Sequence, residues 1–207
     1  MVMQAIGLIS VMVGILSGLD FAKVNEPPGI ILGLMALALG GALGEWWRLD
    51  EKLEHLGDAL KKRFKGKGRF TEGFVAASLL FCVGPLAILG SIQNGLAGDD
   101  HFLLLKSALD GFASLALSAS FGFGVILSAA LVGFYQGSLA LGAGFFASII
   151  PDPSNDPRVL LVNATGGLII IALGLNLLEV TRLKIASFLP SLALVIVFYY
   201  LGLFFYS

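Results

Sequence analysis

Charge is what this sequence has least of. Asp, Glu, Lys and Arg make up only 13% of the residues, about half the share usual in soluble domains. With 57% hydrophobic residues and a mean hydropathy of +0.92, the composition excludes an ordinary water-soluble globule and specifies an integral membrane protein. Cysteine is confined to Cys82, so an intrachain disulfide is excluded, and a lone thiol in an apolar run serves more often as a small filler than as a nucleophile. Histidine occurs at His55 and His101, both in polar segments. There is no HExxH, no GxSxG, no paired intramembrane aspartate and no metal-spaced His/Cys set. The sequence therefore points to no enzyme, no metal and no cofactor. A net charge of −1, with the basic residues clustered mainly in one loop, excludes nucleic acid as a partner. The opening MVMQAIGL has no basic n-region and no small-residue cleavage site, so no removable signal peptide is expected.

Long apolar runs are what the chain has instead. Seven segments are long enough to cross a bilayer: about 2–19, 29–47, 73–93, 102–120, 123–150, 159–178 and 186–206. Turn residues punctuate them: Glu26-Pro27-Pro28 before the second, Asn94-Gly95 at the end of the third, PDPSNDPR before the sixth. The uncharged ASFGFG at 119–124 predicts a tight hairpin between the fourth and fifth. The fifth would run roughly 40 Å if continuous, so tilting or an interruption around Gly133 and Gly137 is expected. The expected fold is all-α: a polytopic transmembrane bundle of about seven glycine-rich spans, forming one integral membrane domain over 1–207.

One stretch, 48–70, is strongly polar. Within it Leu49, Leu53, Leu56, Leu60 and Phe64 recur at helical spacing among acidic and basic residues. This predicts an amphipathic helix lying on the membrane surface, followed by a glycine-lysine tether at 65–69. Trp46 and Trp47 fall where an interfacial aromatic belt belongs. Ten basic residues lie in 48–70 and 179–185, against Lys23 and Arg158 in the opposite loops. That asymmetry predicts that 48–70 and 179–185 are cytoplasmic, with the start inside and the end outside.

Glycine forms faces. Gly29, Gly33, Ala36, Gly40 and Gly44 of the second span fall within about 80° on a helical wheel. Gln4, Gly7, Gly14 and Gly18 share a face of the first span, and Asn163, Gly166, Gly167 and Gly174 a face of the sixth. Such stripes read first as close helix packing, within the chain or between copies of it in a homo-oligomer. The first and sixth spans resemble each other (QAIGLISVMVGI beside NATGGLIIIALGL) and run in opposite directions in the expected topology. A weak inverted repeat of this kind recurs in secondary transporters.

Polar chemistry concentrates in the third and fourth spans. Pro85, after Gly84, removes a backbone donor and leaves the Phe81 carbonyl without its helical partner, and inside a bilayer that group must be satisfied by other means. Asp110 lies roughly 12 Å into the fourth span, near the middle of an about 30 Å core. A carboxylate there is a functional-site hypothesis. Ser107, Asp110, Gly111, Ser114 and Ser118 share one side, flanked by Lys106. The seam suits a hydrated cavity; the alternative makes Lys106 and Asp110 a structural i,i+4 pair. The expected substrate or ion pathway is Asp110, Lys106, Ser107, Ser114, Gly84, Pro85 and Asn163.

The runs TEGFVAASLLFCVGPLAILGSIQNGL, KSALDG, FYQG, NATGGLIIIALGLNLL and FLP, together with GEWWRLDEKLEHLGDALKKRF, resemble the YqgA/YdfK-type bacterial membrane proteins, a family of unknown function. The resemblance spans essentially the whole chain. It implies a multi-pass protein of the bacterial inner membrane and carries over no catalytic residue. Members usually have a further hydrophobic segment and a basic turn before the equivalent of MQAIGLI, so the resemblance implies a shortened start and, in a full-length relative, eight spans. Two functions are carried forward: a transporter or channel-like protein for a small polar or ionic solute, or a non-transporting scaffold or regulator acting through its cytoplasmic helix.

Overall fold

The computed structural model describes residues 2–83, 85–144 and 155–206, and every regular element among them is helical. In chain order these are α1 (Val2–Gly18), α2 (Gly29–Trp46), α3 (Leu49–Arg63), α4 (Phe70–Cys82), α5 (Pro85–Ala97), α6 (His101–Phe121), α7 (Gly124–Leu141), α8 (Pro157–Leu177) and α9 (Pro190–Tyr206), with 3-10 turns at Leu19–Lys23 and Ile185–Phe188. Six helical stretches are long and apolar enough to cross a membrane, and α4 with α5, bent by 58° at their break, makes a seventh when taken as one broken span. The fold is thus an all-α polytopic bundle. Helix α7 runs unbroken through Gly133 and Gly137, so of the two expectations there, tilting or interruption, the interruption is absent. In an apolar medium a lost backbone hydrogen bond has no water to replace it, so glycine alone does not open a helix. The far part of that expected segment, 145–150, lies outside the described residues.

The helices divide into two compact units, one comprising 1–6 and 53–153, the other 7–52 and 154–207. In the second unit, the glycine faces of α1 and α8 meet each other antiparallel. A methyl group added at Gly7 would come within 2.9 Å of the Gly174 carbonyl oxygen, and one at Gly174 within 2.7 Å of the Gly7 oxygen. Gly14 and Gly167 repeat the arrangement one step along, at 2.5 and 2.7 Å. Backbones approach this closely only where side chains are missing, and dispersion and weak Cα–H contacts then hold the helices together. Helix α2 uses its stripe on α9 and the turn before it: Gly40 sits 2.6 Å, measured to an added methyl, from the Ser191 nitrogen, and Gly44 sits against the Ser187 carbonyl. Around these seams Phe21, Val24, Leu32, Ala36, Leu161, Ala164 and Val195 form a buried core.

Connections in this unit are pinned by side chains. Asn176 donates to the Leu183 carbonyl at 2.8 Å and accepts from the Leu183 amide at 2.9 Å and from the Thr181 hydroxyl at 2.8 Å. Asp156 caps α8, accepting from the Arg158 amide at 2.9 Å, with Pro157 at the first helical position, where its missing N–H costs nothing. Asp50 accepts from the Ala186 amide at 2.8 Å. Burial pushes the Asp50 carboxyl above its usual range, against that hydrogen bond and the nearby Lys184.

In the first unit, α4 and α7 start side by side, with Gly124 pressed on the Phe70 carbonyl and Gly73 on Phe121 and Val125. Farther along, Gly95 of α5 meets Ala140 and Ala143, while Gly90 meets Phe102 and Leu103 at the start of α6. The broken α4–α5 path therefore follows α7 along its length, and α6 runs back beside it. The expected tight hairpin turns at Gly122, whose φ of 80° suits glycine. The polar stretch forms the expected amphipathic helix, α3. Its Gly57 is buried against Thr71 and Phe74, and Asp58 accepts from the Thr71 hydroxyl at 2.6 Å. The tether folds back on it through Lys61 Nζ, which donates to the Gly68 carbonyl at 2.9 Å.

Candidate functional site

The contacts along the first unit place three things at one level: the end of α4, the Lys106–Asp110 stretch of α6, and Tyr135–Gln136 of α7. Lys106 is buried and forms an ion pair with Asp110, whose side chain keeps 29% of its exposure. Its ammonium also lies 6.0 Å from the centre of the Phe81 ring, the outer limit for a cation–π contact. Cys82 is within electrostatic reach of both charges, and Tyr135 within reach of Cys82. The Ser78 hydroxyl and the Gln136 side-chain nitrogen are buried without a hydrogen-bond partner, a costly state in an apolar interior.

Each part has a local cause. Proline cannot continue a helix but starts one well, so Pro85 heads α5 while α4 ends at Cys82. The last carbonyls of α4 and the first amides of α5 are thereby left without intrahelical partners, and their partial charges are opposite in sign. Discontinuous spans of this kind form the polar sites of many secondary transporters. Lys106 and Asp110 meet because four residues make about one helical turn.

Of the expected pathway residues, Asp110 and Lys106 come together, beside Phe81 at the end of α4. Gly84 lies outside the described residues, as does the side chain of Pro85. Ser107 and Ser114 are on α6 as expected, but each hydroxyl donates to its own helix, to Leu104 and Gly111 respectively, both at 2.9 Å. A serine in an apolar helix satisfies itself this way, so these two need no external partner. Asn163 lies in the other unit, on α8, buried and with its Oδ1 unpartnered. Tyr135 is an addition. Counting residues outward from the 121–124 turn along both arms places it level with Asp110, a signal available in the sequence. Among the described residues no three His, Cys, Asp or Glu side chains come together as a metal-binding group.

The comparisons with known proteins agree with a membrane protein. The chain is similar to the uncharacterized membrane protein YdfK of Bacillus subtilis (strain 168), at 34% identity over 190 residues covering 92% of this chain and 78% of the relative. It is also similar to the uncharacterized protein YqgA of Escherichia coli (strain K12), at 27% identity over 195 residues covering 91% and 78%. No solved structure matches. With residues 1–200 matched by the family model described as "Protein of unknown function (DUF554)", the chain belongs to that family of membrane proteins.

Proposed function

We propose that this protein moves a small polar or ionic solute across the bacterial inner membrane, through the first unit and past the break between α4 and α5. The observation that carries the reading is the meeting of that break with the Lys106–Asp110 pair at the depth of the span centre. Each charge there costs about 2.5–3.5 kcal/mol even on translocon scales, and helix packing alone needs neither. Asp110, partly exposed beside the open Gly111, is the group a passing solute meets; Lys106 pairs with it and orients it. Ser78 and Gln136 supply polar atoms that the fold leaves unused. The basic bias puts α3 and 179–185 on the cytoplasmic side.

A second copy is the proposed partner, on α7 rather than on the stripes of α1, α2 or α8, which the chain's own helices already cover. Gly133 and Gly137 form a GxxxG pair with nothing within 4 Å of either, the motif that lets two membrane helices touch.

The mutual satisfaction of Lys106 and Asp110 favours the second reading, a scaffold with no solute. Flux separates the two. Purified protein in sealed proteoliposomes is assayed for movement of protons, sodium, potassium, chloride and phosphate, with Asp110→Asn as its partner sample. Transport predicts flux of at least one probe, lost in Asp110→Asn while that variant stays folded and monodisperse. Undiminished flux in Asp110→Asn sinks the pathway, and no flux of any probe in the unaltered protein favours the scaffold.

A further inference from the structure

In the second unit, a groove of about 350 Å³ runs between the end of α2 and the connection that precedes α9. Its lining changes character along its length. Leu37, Ala38, Gly41 and Phe188 form an apolar end, while Glu45, Arg182 and Lys184 form a charged one. From Leu37 to Glu45 is eight helical residues, or about 12 Å. Trp46 and Trp47 follow at once, both exposed, and mark the level where a bilayer turns from tails to headgroups. We propose that this groove binds an anionic phospholipid, its phosphate on Arg182 and Lys184 and an acyl chain along Leu37, Ala38 and Gly41.

The cations are held in place before any lipid arrives. Asn176 grips both the amide and the carbonyl of Leu183, so the residues on either side, Arg182 and Lys184, project from a fixed peptide. Asp50 anchors the next turn through Ala186. A cationic pair on a pinned backbone loses little freedom on binding, which favours affinity. The charge balance favours an anion. Lys184 reaches Glu45 at 3.3 Å, with both side chains more than half exposed, a geometry worth little in water and easily exchanged. Arg182 is exposed and makes no ion pair among the described residues. The groove thus carries one positive charge in excess, and a planar guanidinium matches phosphate with two parallel hydrogen bonds.

The apolar end needs small residues. Ala38 is exposed and offers only a methyl group. At Gly41 an added methyl would come within 2.9 Å of the Phe188 ring, so glycine there lets that ring form the floor. Basic pockets beside membrane helices are known to take lipid headgroups; here an apolar furrow continues from the pocket in the direction of the tails.

The test uses the full chain in a neutral detergent, titrated with phosphatidylglycerol, with retained lipid counted by native mass spectrometry. Arg182→Gln with Lys184→Gln should weaken retention by about tenfold or more. Ala38→Trp, on an exposed position, should weaken it while leaving both cations in place. Lys61→Gln with Lys62→Gln, which removes equal charge from α3, should leave retention unchanged. The proposal is overturned if the Arg182/Lys184 variant retains lipid normally, or if the Lys61/Lys62 variant loses as much. It is also overturned if inorganic phosphate at equal concentration displaces the lipid fully, which would make this a soluble-anion site.

Discussion

In the unit containing α2, α8 and α9, glycines such as Gly14, Gly40, Gly44, Gly167 and Gly174 are each pressed against the backbone of a neighbouring helix; on α6 and α7 of the other unit, Gly111, Gly133 and Gly137 face nothing within 4 Å. The residue type is the same and its use is opposite. In membranes small residues contribute by allowing close approach, so a stripe stabilises only if something touches it. One unit has spent its stripes on internal packing. The other keeps open glycine faces, and it also holds Lys106 and Asp110, the charged pair within a span. The first unit packs glycines too, Gly73, Gly95 and Gly124 among them, so the contrast is between those packed positions and the open faces of α6 and α7.

The sharpest way to break it is to fill both kinds of glycine. Gly14→Leu and Gly167→Leu should be the most damaging changes. A side chain there meets backbone atoms that cannot move aside, and overpacking of this kind costs about 1–3 kcal/mol or more. Loss of monodisperse protein on size-exclusion chromatography, or a large fall in melting temperature in detergent, is the expected result. Gly133→Leu should leave melting nearly unchanged. If both classes destabilise equally, the open faces are not open.

A smaller effect is expected at the entry to α8. Asp156 caps that helix and accepts from the Arg158 guanidinium at 2.8 and 2.6 Å. Removing such a cap with Asp156→Ala costs about 1 kcal/mol. Burial pushes the Asp156 carboxyl up, but the hydrogen bonds and charge of Arg158 outweigh it and hold the group below the usual carboxylate range. A lowered folded-state value means the stabilisation is complete above the unfolded value of about 3.9 and fades as pH falls through the lower, folded one. Melting followed through that acid window should show a decline in the parent protein that is shallower in Asp156→Asn. Equal slopes would detach the cap from the acid response.

The smallest effect on the fold, and the most specific, concerns association. Gly137→Leu should leave the folded protein intact and abolish cross-linking between cysteines placed at Ala130 in two copies, in a Cys82→Ala background. Persistent cross-linking would move the interface off α7.

Much of this was legible in the residues. Hydropathy located the six helices long and apolar enough to cross and, taken as one broken span, the α4–α5 pair, because a run of about twenty apolar residues matches the thickness of the hydrocarbon core. The leucine spacing of 49–64 and the charge around it located α3. The glycine wheels identified the faces that pack but not their partners: Gly7 opposite Gly174 depends on which helices the chain brings together, and periodicity says nothing of that. On α6 the Ser107 and Ser114 hydroxyls are turned onto their own helix, a rotamer choice that residue type leaves open. Tyr135 carries no periodic pattern of its own, and only its distance from the 121–124 turn marks it.

The proposed pathway requires that the α6 face beside the break be reached by water as well as by lipid. Single cysteines at Ser107 and Ser114 in a Cys82→Ala background, treated in sealed vesicles with a membrane-impermeant thiol reagent, test it directly. Leu115→Cys, on an exposed apolar position of the same helix, serves as the lipid-facing reference. The account predicts that Ser107→Cys and Ser114→Cys react while Leu115→Cys does not. If all three are inert to that reagent and react only with an apolar one, the seam is dry and the pathway is contradicted.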